Sequence, residues 1–340
     1  MTLIALDAMG GDDAPAAPLD GALIAAREGI EVALVGDEAT IAQGLAARGG
    51  QPSSIRIVHA AGTVGMGDKA ARDVRHNRDT SLYVGAELVK RREADALVTM
   101  GNTGAAMATA LVVLGRIRGV ERPALGAVLP TGNGVVLFLD VGANADARPS
   151  QLVQFARMGA VYLRAVHGMS DPRVALLSIG EEASKGSSLV IETHELLTRE
   201  PGIRFTGNIE SRDLLTGQAD VIVTDGFTGN ACLKMAEGIA SLLFGEIRSA
   251  ASSSLRGKLG GLLLMPSLRS IRGRLDYRQY GAVPLLGVDG GVFIGHGRSD
   301  GAAVASGIRA AHRASEQGMV AALAASMAKA SDAGLGGVPV

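Results

Sequence analysis

Short aliphatic runs alternate with longer Ala- and Leu-rich stretches along this chain of 340 residues. The aliphatic runs end at Gly, Asp or Asn, and the stretches between them have the composition of helices. This alternation is typical of a parallel sheet with crossover helices. It predicts strands at Leu3–Asp7, Val32–Val35, Ile55–Val58, Ala96–Met100, Val135–Asp140, Val174–Ile179, Val221–Thr224 and Val292–Ile294. It predicts helices at Pro18–Gly29, Ala39–Arg48, Leu82–Arg91, Gly104–Leu114, Ser150–His167, Ser187–Thr198, Gly229–Ala251 and Gly301–Gln317.

Polar segments that contain glycine follow five of the predicted strands. They are Asp7–Asp12, Met100–Gly104, Asp140–Asn144, Ile179–Gly186 and Asp225–Asn230. Because the carboxyl ends of parallel strands lie at one edge of a sheet, we expect all five segments to converge there. The second and the fifth open a helix, whose free backbone N–H groups and positive dipole end can hold an anion. The sequence therefore predicts a phosphate or carbonyl site at this edge.

The overall composition indicates a globular enzyme. Apolar residues make up 47% of the chain, charged residues 20%, and the formal net charge is −1, so no global basic field indicates nucleic acid as a partner. The single cysteine, Cys232, excludes an intrachain disulfide framework. The N-terminus reads as a first strand, and no apolar run approaches the ~20 residues that a membrane-spanning helix needs. We therefore expect a cytoplasmic protein that is soluble or attached to a membrane only at its surface.

Seven segments occur in the same order as in a known family. They are Ala5–Asp12, Gly101–Ala105, Arg122–Ala124, Asp140–Asn144, Ile179–Glu182 with Lys185–Gly186, Asp225–Asn230 and Pro284–Val288. On these segments the chain resembles the acyl-acyl-carrier-protein:phosphate acyltransferases, the PlsX family, over nearly its full length. The resemblance implies a three-layer α/β/α fold with a mostly parallel sheet. That fold is related to phosphotransacetylases and to isocitrate and isopropylmalate dehydrogenases.

The resemblance also implies a reaction. A fatty acyl group would pass from acyl carrier protein to inorganic phosphate, giving acyl phosphate for phospholipid synthesis without a cofactor or metal. It further implies a homodimer at the inner face of the cell membrane, beside a glycerol-3-phosphate acyltransferase. Residues 1–330 would form one catalytic unit of two lobes, with residues 1–100 and 281–330 in the first and 101–280 in the second. Residues 331–340 would be a loose tail.

This chemistry requires orientation and charge stabilisation, because phosphate is already a nucleophile and a thioester is already activated. We expect Lys185 to place its charge on phosphate, and Asn230 and Asn102 to donate from their amides. An exposed charge paired with Glu181 or Glu182 is the alternative for Lys185, and helix capping for the two asparagines. The expected binding residues are Asp7, Arg75, Gly101, Thr103, Gly104, Asn144, Gly186, Asp225, Thr228 and Gly229. Arg122 is a further phosphate candidate.

The segment 250–278 carries a local basic excess around the run Leu262-Leu263-Leu264-Met265. Between Arg256 and Arg278, six basic residues face one acidic residue, Asp276, which gives a local charge of +5. We expect Gly260, Gly261 and Pro266 to interrupt any long helix here, so the apolar run fits the tip of a helical hairpin. Either an anionic membrane or the dimer partner is a suitable contact for this tip.

Three other readings remain as alternatives. The segment Gly297–Gly301 matches the nucleophile-elbow pattern of serine hydrolases, but His312, the histidine beyond it, lies inside the next predicted helix. A nicotinamide-dependent dehydrogenase of the same fold is the second alternative, and Gly65–Ala70 is a weak match to a dinucleotide fingerprint. The third is a scaffold that docks acyl carrier protein at a membrane without catalysis. Cys232 is expected to be a buried small side chain rather than an acyl-enzyme nucleophile.

Overall fold

The computed structural model describes residues 2–66, 74, 77–132, 134–254, 258–265 and 281–332. Its strands are β1 Leu3–Asp7, β2 Glu31–Gly36, β3 Ile55–His59, β4 Ala96–Thr99, β5 Ala124–Thr131, β6 Gly134–Leu139, β7 Arg173–Leu177, β8 Arg204–Ile209, β9 Val221–Val223, β10 Ala282–Leu286 and β11 Gly291–Gly295. Its helices are α1 Ala16–Arg27, α2 Glu38–Ala46, α3 Ser81–Lys90, α4 Thr103–Val113, α5 Pro149–His167, α6 Ser188–Arg199, α7 Gly226–Ser252, α8 258–265, α9 Gly301–Glu316 and α10 Met319–Asp332.

Several helices begin where a polar side chain caps the first turn. The side chains of Asp37, Thr80, Asn102, Asp225 and Asp300 each accept a hydrogen bond from the backbone N–H three residues further along the chain. Such a cap satisfies one of the N–H groups that a helix leaves unpaired at its start. The polar residues that follow the strands therefore fix the positions at which these helices begin.

The strands form one sheet in the order β3-β2-β1-β4-β11-β10-β5-β6-β9-β7-β8. The first five of these strands are parallel to one another, and so are the last four. Between these two groups the direction changes at three successive pairs, β11 with β10, β10 with β5, and β5 with β6. An odd number of antiparallel pairs leaves the two parallel halves running in opposite directions.

Two apolar cores lie on opposite faces of the sheet. Alternate residues of a strand point to opposite faces, so Ile4 and Leu6 belong to one core and Ala5 to the other. The first core is completed by α1, α2, α5, α9 and α10, and the second by α3 and α4. The expected three-layer α/β/α fold with a mostly parallel sheet is thereby confirmed. The division into two lobes stays a prediction.

The predicted elements are all present, with shifts of up to three residues at most ends. Three strands were not predicted, namely β5, β8 and β10, and neither was helix α10. Helix α10 runs to Asp332 and includes the first two residues of the expected tail. Residues 333–340 lie outside the described part of the chain.

The predicted hairpin region is partly described. Residues 258–265 form a short helix that includes Gly260 and Gly261, and Pro266 lies outside the described residues, so the expected interruption of a long helix stays a prediction. A Cβ atom on Gly261 would lie 2.9 Å from the Cβ atom of Ala251, so the absence of a side chain lets α8 lie directly against the end of α7. Within the described residues, no helix combines the length and apolarity needed to cross a bilayer.

Candidate active site

The reversal of strand direction divides the polar loops between two edges of the sheet. The loops that begin at Asp140, Ile179 and Asp225 follow β6, β7 and β9, which are parallel neighbours, and share one edge, here called the Asp225 edge. The loops that begin at Asp7 and Met100 follow β1 and β4 and lie at the opposite edge, here called the Asp7 edge. The expectation that all five loops share one edge is therefore wrong for a single chain.

At the Asp225 edge, the carboxyl group of Asp140 organises the loop after β6. Its Oδ1 accepts from the backbone N–H groups of Leu125 (3.0 Å), Gly142 (3.2 Å) and Ala143 (3.0 Å). Its Oδ2 accepts from the backbone N–H (2.7 Å) and the side-chain amide (2.9 Å) of Asn144. Burial raises the pKa of Asp140, and the hydrogen bonds oppose that rise. This one buried carboxyl group therefore determines the shape of the loop.

Helix α7 begins against the loop that Asp140 organises. The backbone N–H of Gly226 donates to the carbonyl oxygen of Asn144 at 2.7 Å. The two carboxylate oxygens of Asp225 accept from the backbone N–H (2.9 Å) and the hydroxyl (2.7 Å) of Thr228. A Cβ atom on Gly229 would lie 1.9 Å from the carbonyl oxygen of Asp140, so the approach of helix to loop requires glycine at this position.

Asn230, the fifth residue of α7, lies exposed beside the loop after β6. A Cβ atom on Gly142 would lie 3.9 Å from Oδ1 of Asn230, so the amide lies next to this glycine. Gly142 has φ +139°, which side chains rarely adopt. The amide of Asn230 therefore lies beside the backbone of Gly142, which has no side chain of its own.

Lys185 lies exposed in the loop between β7 and α6. Its backbone N–H donates to the carbonyl oxygen of Glu182 at 3.0 Å, and its own carbonyl accepts from the hydroxyl of Ser178 at 3.1 Å. Gly186 follows with φ +114°. Helix α6 then begins at Ser188, and the side chain of Ser187 makes no capping hydrogen bond. The ammonium group of Lys185 therefore belongs to a loop that leads directly into a helix N-terminus without a side-chain cap.

A pocket of ≈ 290 Å³ lies at the Asp225 edge. It is lined by Ala145, Asp146, Ala147, Leu189, Asp225 and Phe227. These residues come from the loop after β6, the first turn of α6 and the start of α7. The predicted residues Asn144, Lys185, Gly186, Asp225, Thr228, Gly229 and Asn230 all belong to loops or helix starts at this same edge of the sheet.

The Asp7 edge carries a separate polar cluster. Asp7 is buried, and its carboxylate accepts from the hydroxyl of Thr99 (2.8 Å) and the backbone N–H of Met9 (3.1 Å). The hydroxyl of Thr99 in turn accepts from the backbone N–H of Gly101 at 3.0 Å. Burial raises the pKa of Asp7. This cluster holds the loops after β1 and β4 together.

Asn102 acts as a helix cap at the same edge. Its Oδ1 accepts from the backbone N–H of Ala105 at 3.0 Å, and its Nδ2 donates to the carbonyl oxygen of Met66 at 2.8 Å. Thr103 and Gly104 are exposed at the start of α4. The catalytic role of Asn102 and the binding roles of these neighbours and of Asp7 stay predictions. Arg75 lies outside the described residues.

The alternative nucleophiles have unsuitable surroundings. Ser299 is buried and its hydroxyl makes no hydrogen bond among the described residues. The ring of His312 lies 3.5 Å from the carboxylate of Glu316 instead. Burial, with a smaller contribution from the charge of Asp225, raises the pKa of Cys232. Ser299 and His312 therefore do not form a hydrolytic pair, and Cys232 is a thiol rather than a thiolate at neutral pH.

Two residues of the Asp225 edge were not identified as site residues from the sequence. Asp140 was part of a recognised motif, and its position directly after a strand was the available signal. Asn208, on β8, donates from Nδ2 to the carbonyl oxygen of Glu182 at 2.9 Å. No local pattern marks Asn208, because its role depends on a neighbouring strand that the sequence did not predict. Among the described residues, no cluster of three or more His, Cys, Asp or Glu suits a metal ion.

Comparison with solved structures defines the class of fold. A phosphotransacetylase from Streptococcus pyogenes superposes with a TM-score of 0.64 at 17% identity, covering 92% of this chain and 94% of that chain. The chain therefore has a fold related to the phosphotransacetylases, as the sequence motifs implied.

Comparison with curated sequences then gives the family. The family model described as "Fatty acid synthesis protein" matches residues 2–322. The chain is 51% identical to the phosphate acyltransferase of Thermus thermophilus over 94% of this chain and 96% of that protein. It is 47% identical to the phosphate acyltransferase of Myxococcus xanthus over 94% of this chain and 92% of that protein. The chain belongs to this family, which confirms the resemblance seen in the motifs, and it is an acyltransferase.

Proposed function

We propose that the protein transfers a long-chain fatty acyl group from acyl carrier protein to inorganic phosphate. The acyl phosphate produced would serve the synthesis of phosphatidic acid. The observation that carries the proposal is the convergence of the Lys185 loop, the start of α6 and Asn230 at the Asp225 edge. The names of the relatives, phosphate acyltransferase, support phosphate as the acceptor.

The proposed reaction is a direct substitution at the thioester. A phosphate oxygen attacks the carbonyl carbon, a tetrahedral oxyanion forms, and the C–S bond breaks to release the thiol after protonation. Lys185 and the N-terminal N–H groups of α6 neutralise the charge of phosphate. The amide of Asn230 donates to the developing oxyanion. No protein nucleophile takes part, which agrees with the raised pKa of Cys232.

A homodimer is part of the proposal. Helix α7 is 27 residues long, and within it only Gly226 and Gly229 are fully buried. Six of its large apolar side chains are exposed, namely Phe227, Met235, Ile239, Leu242, Leu243 and Ile247. Met235, Ile239, Leu243 and Ile247 recur every four residues and, with Leu242 beside them, form a stripe that a second copy would cover. A second copy is also the arrangement that could bring an Asp7 edge beside an Asp225 edge, since one chain keeps them apart.

Contact with the cytoplasmic face of an anionic membrane is the second structural proposal. The side chains of Leu262, Leu263, Leu264 and Met265 on α8 are all exposed. Long-chain acyl phosphate partitions into lipid, so release at the membrane would deliver it to a glycerol-3-phosphate acyltransferase there. The flanking basic residues, apart from Lys258, lie outside the described residues.

Phosphate-dependent consumption of acyl-acyl carrier protein is the test. Purified protein and palmitoyl-acyl carrier protein are mixed with and without inorganic phosphate, and free carrier thiol and acyl phosphate are measured. Both products should appear together and only with phosphate. A hydrolase would release thiol without phosphate, a dehydrogenase would require a nicotinamide nucleotide, and a scaffold would turn nothing over. Any of these three results would contradict the proposal.

A further inference from the structure

The pocket at the Asp225 edge has a lining that does not suit phosphate. Two of the six described lining residues, Asp146 and Asp225, carry carboxylates, and none is Lys or Arg. A phosphate dianion would be repelled by these two charges. Both carboxylate oxygens of Asp225 are already hydrogen-bonded to Thr228. The described lining therefore offers an anionic ligand no cationic side chain, in contrast to the neighbouring Lys185 loop.

The remaining lining residues are apolar. They are Ala145, Ala147, Leu189 and Phe227, and the ring of Phe227 is 73% exposed although it belongs to the first turn of a helix. An exposed aromatic ring on the wall of a pocket gains most from an apolar ligand that covers it. The space of ≈ 290 Å³ is a depression that stays open to solvent on one side, and it has room for a few methylene groups. The pocket therefore fits an uncharged alkyl segment.

The position of the pocket relates it to the reacting carbonyl. Asp225 and Phe227 line the pocket, and Asn230 lies one helical turn further along α7. A chain in the pocket would therefore begin beside the group that stabilises the oxyanion. In an acyl thioester, two segments are attached to the carbonyl carbon, the alkyl chain and the sulfur-linked pantetheine arm. The pantetheine arm has two amides that need polar partners, whereas the alkyl chain needs none.

We propose that this pocket binds the methylene groups of the acyl chain nearest the thioester and thereby discriminates short acyl donors from those of eight or more carbons. The proposal rests on the proposed function, because it assumes an acyl donor at the Asp225 edge. Phe227 and Leu189 are its specificity-determining residues, and Ala145 borders the space that the chain occupies.

Chain-length profiles test this assignment. We measure kcat/KM of the wild type and of Phe227→Ala with acetyl-, butyryl-, octanoyl- and palmitoyl-acyl carrier protein at saturating phosphate. Each methylene removed from water is worth about fourfold in kcat/KM. We expect Phe227→Ala to lower kcat/KM about tenfold for palmitoyl and octanoyl donors and less than about twofold for the acetyl donor. Ala145→Phe, which fills the pocket, should also select against the longer donors.

Leu196→Ala is the matched control. Leu196 is an exposed leucine of α6, two turns beyond Leu189, and does not line the pocket. Its loss should leave the chain-length profile unchanged. Acyl-N-acetylcysteamine thioesters of the same four chains lack most of the pantetheine arm and provide the second control. The effect of Phe227→Ala should persist with these donors.

The possible results distinguish a failure of the proposed function from a failure of the pocket assignment. A wild type that consumes no donor with phosphate would reject the proposed function itself. An active wild type whose profile is unchanged by Phe227→Ala would reject the pocket assignment alone. A loss that is equal for all chain lengths, or that disappears with the N-acetylcysteamine thioesters, would assign the pocket to the pantetheine arm. A change of oligomeric state on size-exclusion chromatography would assign Phe227 to a subunit interface. Each of these last two results overturns the assignment.

Discussion

The side-chain amide of Asn208 donates to the carbonyl oxygen of Glu182 at 2.9 Å, which attaches β8 to the loop that carries Lys185. The backbone N–H of Lys185 donates to the same carbonyl oxygen at 3.0 Å. On its other side, Oδ1 of Asn208 lies 2.9 Å from Nδ1 of His194 on α6. Asn208 therefore fixes the loop and the helix between which phosphate is proposed to bind.

Replacing Asn208 with leucine should impair the reaction more than the fold. The variant keeps a similar volume but loses the donor to Glu182, so the Lys185 loop is no longer held on β8. We expect kcat/KM for phosphate to fall about tenfold, the amount that a loosened charge-stabilising group typically costs, with a melting temperature within a few degrees of the wild type. Steady-state kinetics over a phosphate series and thermal denaturation check this.

Thr206→Val provides the comparison for Asn208→Leu. The hydroxyl of Thr206 donates to the carbonyl oxygen of Val174 at 3.0 Å, so this variant removes a hydrogen bond from the same strand without affecting the loop. Phosphate kinetics should stay close to those of the wild type. Equal losses of rate in both variants would show that Asn208 acts through general stability instead of positioning.

Lys185→Ala and Asn230→Ala should each lower turnover at least ~10²-fold, the scale for losing one charge-stabilising or oxyanion donor. Both side chains are exposed, so the fold should remain intact. Turnover of palmitoyl-acyl carrier protein and circular dichroism of the purified variants check the two statements. Full activity of the lysine variant at low phosphate would exclude the assigned role.

Cys232→Ala should retain nearly normal activity. Burial and the charge of Asp225 raise the pKa of the thiol, so it stays protonated and unreactive at neutral pH. The activity of Cys232→Ala is measured by the release of carrier thiol, in parallel with that of Lys185→Ala. A folded but inactive cysteine variant would mean that the acyl group passes through the enzyme, contrary to direct attack by phosphate.

The stability of Asp7→Asn relative to the wild type should increase with pH. Burial raises the pKa of Asp7 above its ordinary value of 3.8, although hydrogen bonds from Ser81 and Thr99 oppose the shift. Between 3.8 and the raised pKa the folded state binds more protons than the unfolded state, so the wild type loses stability as the pH rises through this range. The asparagine side chain of the variant does not titrate, so its stability lacks this dependence on pH. Urea unfolding from about pH 4 to about pH 8 measures the difference.

Asp220→Asn should behave differently over the same pH range. Burial acts to raise the pKa of Asp220, but the hydrogen bonds and charge of Arg173 outweigh burial and hold the pKa below 3.8. The stability that this pair provides is lost only as the pH falls through the lowered pKa. Because the unfolded carboxyl begins to take up protons below about pH 5, the difference from the wild type should be constant between about pH 5 and about pH 8. A constant difference for Asp7→Asn as well would show that Asp7 is ionised at an ordinary pKa.

Leu263→Glu combined with Leu264→Glu should abolish sedimentation with anionic vesicles. Leu263 is 74% exposed and Leu264 is 58% exposed, so the substitutions need not disturb a core. Burying a large apolar side chain in lipid is worth about 1.5–3 kcal/mol, and two acidic residues on α8 would be repelled by the surface. Wild-type binding should weaken at high salt. Dimerisation and activity in solution should persist in the double mutant. A double mutant that still sediments with vesicles would show that these leucines do not bind the membrane, and one that becomes monomeric would assign them to the subunit interface.

Most strands were predictable because their aliphatic runs end at a polar turn. The three missed strands contain residues that normally indicate a break. Strand β5 contains Gly126 and Pro130, β10 contains Pro284, and β8 contains Gly207 at φ +101° beside a register shift. Gly126 is needed because a Cβ atom there would lie 3.0 Å from Leu137. Tertiary packing thus overrides the local signal in these strands.

The same omission explains the error about the site. Strands β10 and β5 take part in the three antiparallel pairs that reverse the sheet. Without them, the alternation of strands and helices indicated a wholly parallel sheet with one functional edge. The individual loops around Lys185, Asp225 and Asn230 were nevertheless identified, because their residue types and spacing are local. Which loops come together is a property of strand direction, and no single motif encodes it.

The reversal of strand direction within the sheet also determines the direction of the helices, because a helix that connects parallel strands runs opposite to them. Helices α4 and α9 begin at the Asp7 edge, whereas α6 and α7 begin at the Asp225 edge. Each N-terminus carries about half an elementary positive charge, and the two sets of macrodipoles point in opposite directions and oppose each other across the molecule. With a net charge of −1, the protein has a weak far field. An anion in solution is therefore attracted only within about one Debye length, ~8 Å at physiological ionic strength, of either edge.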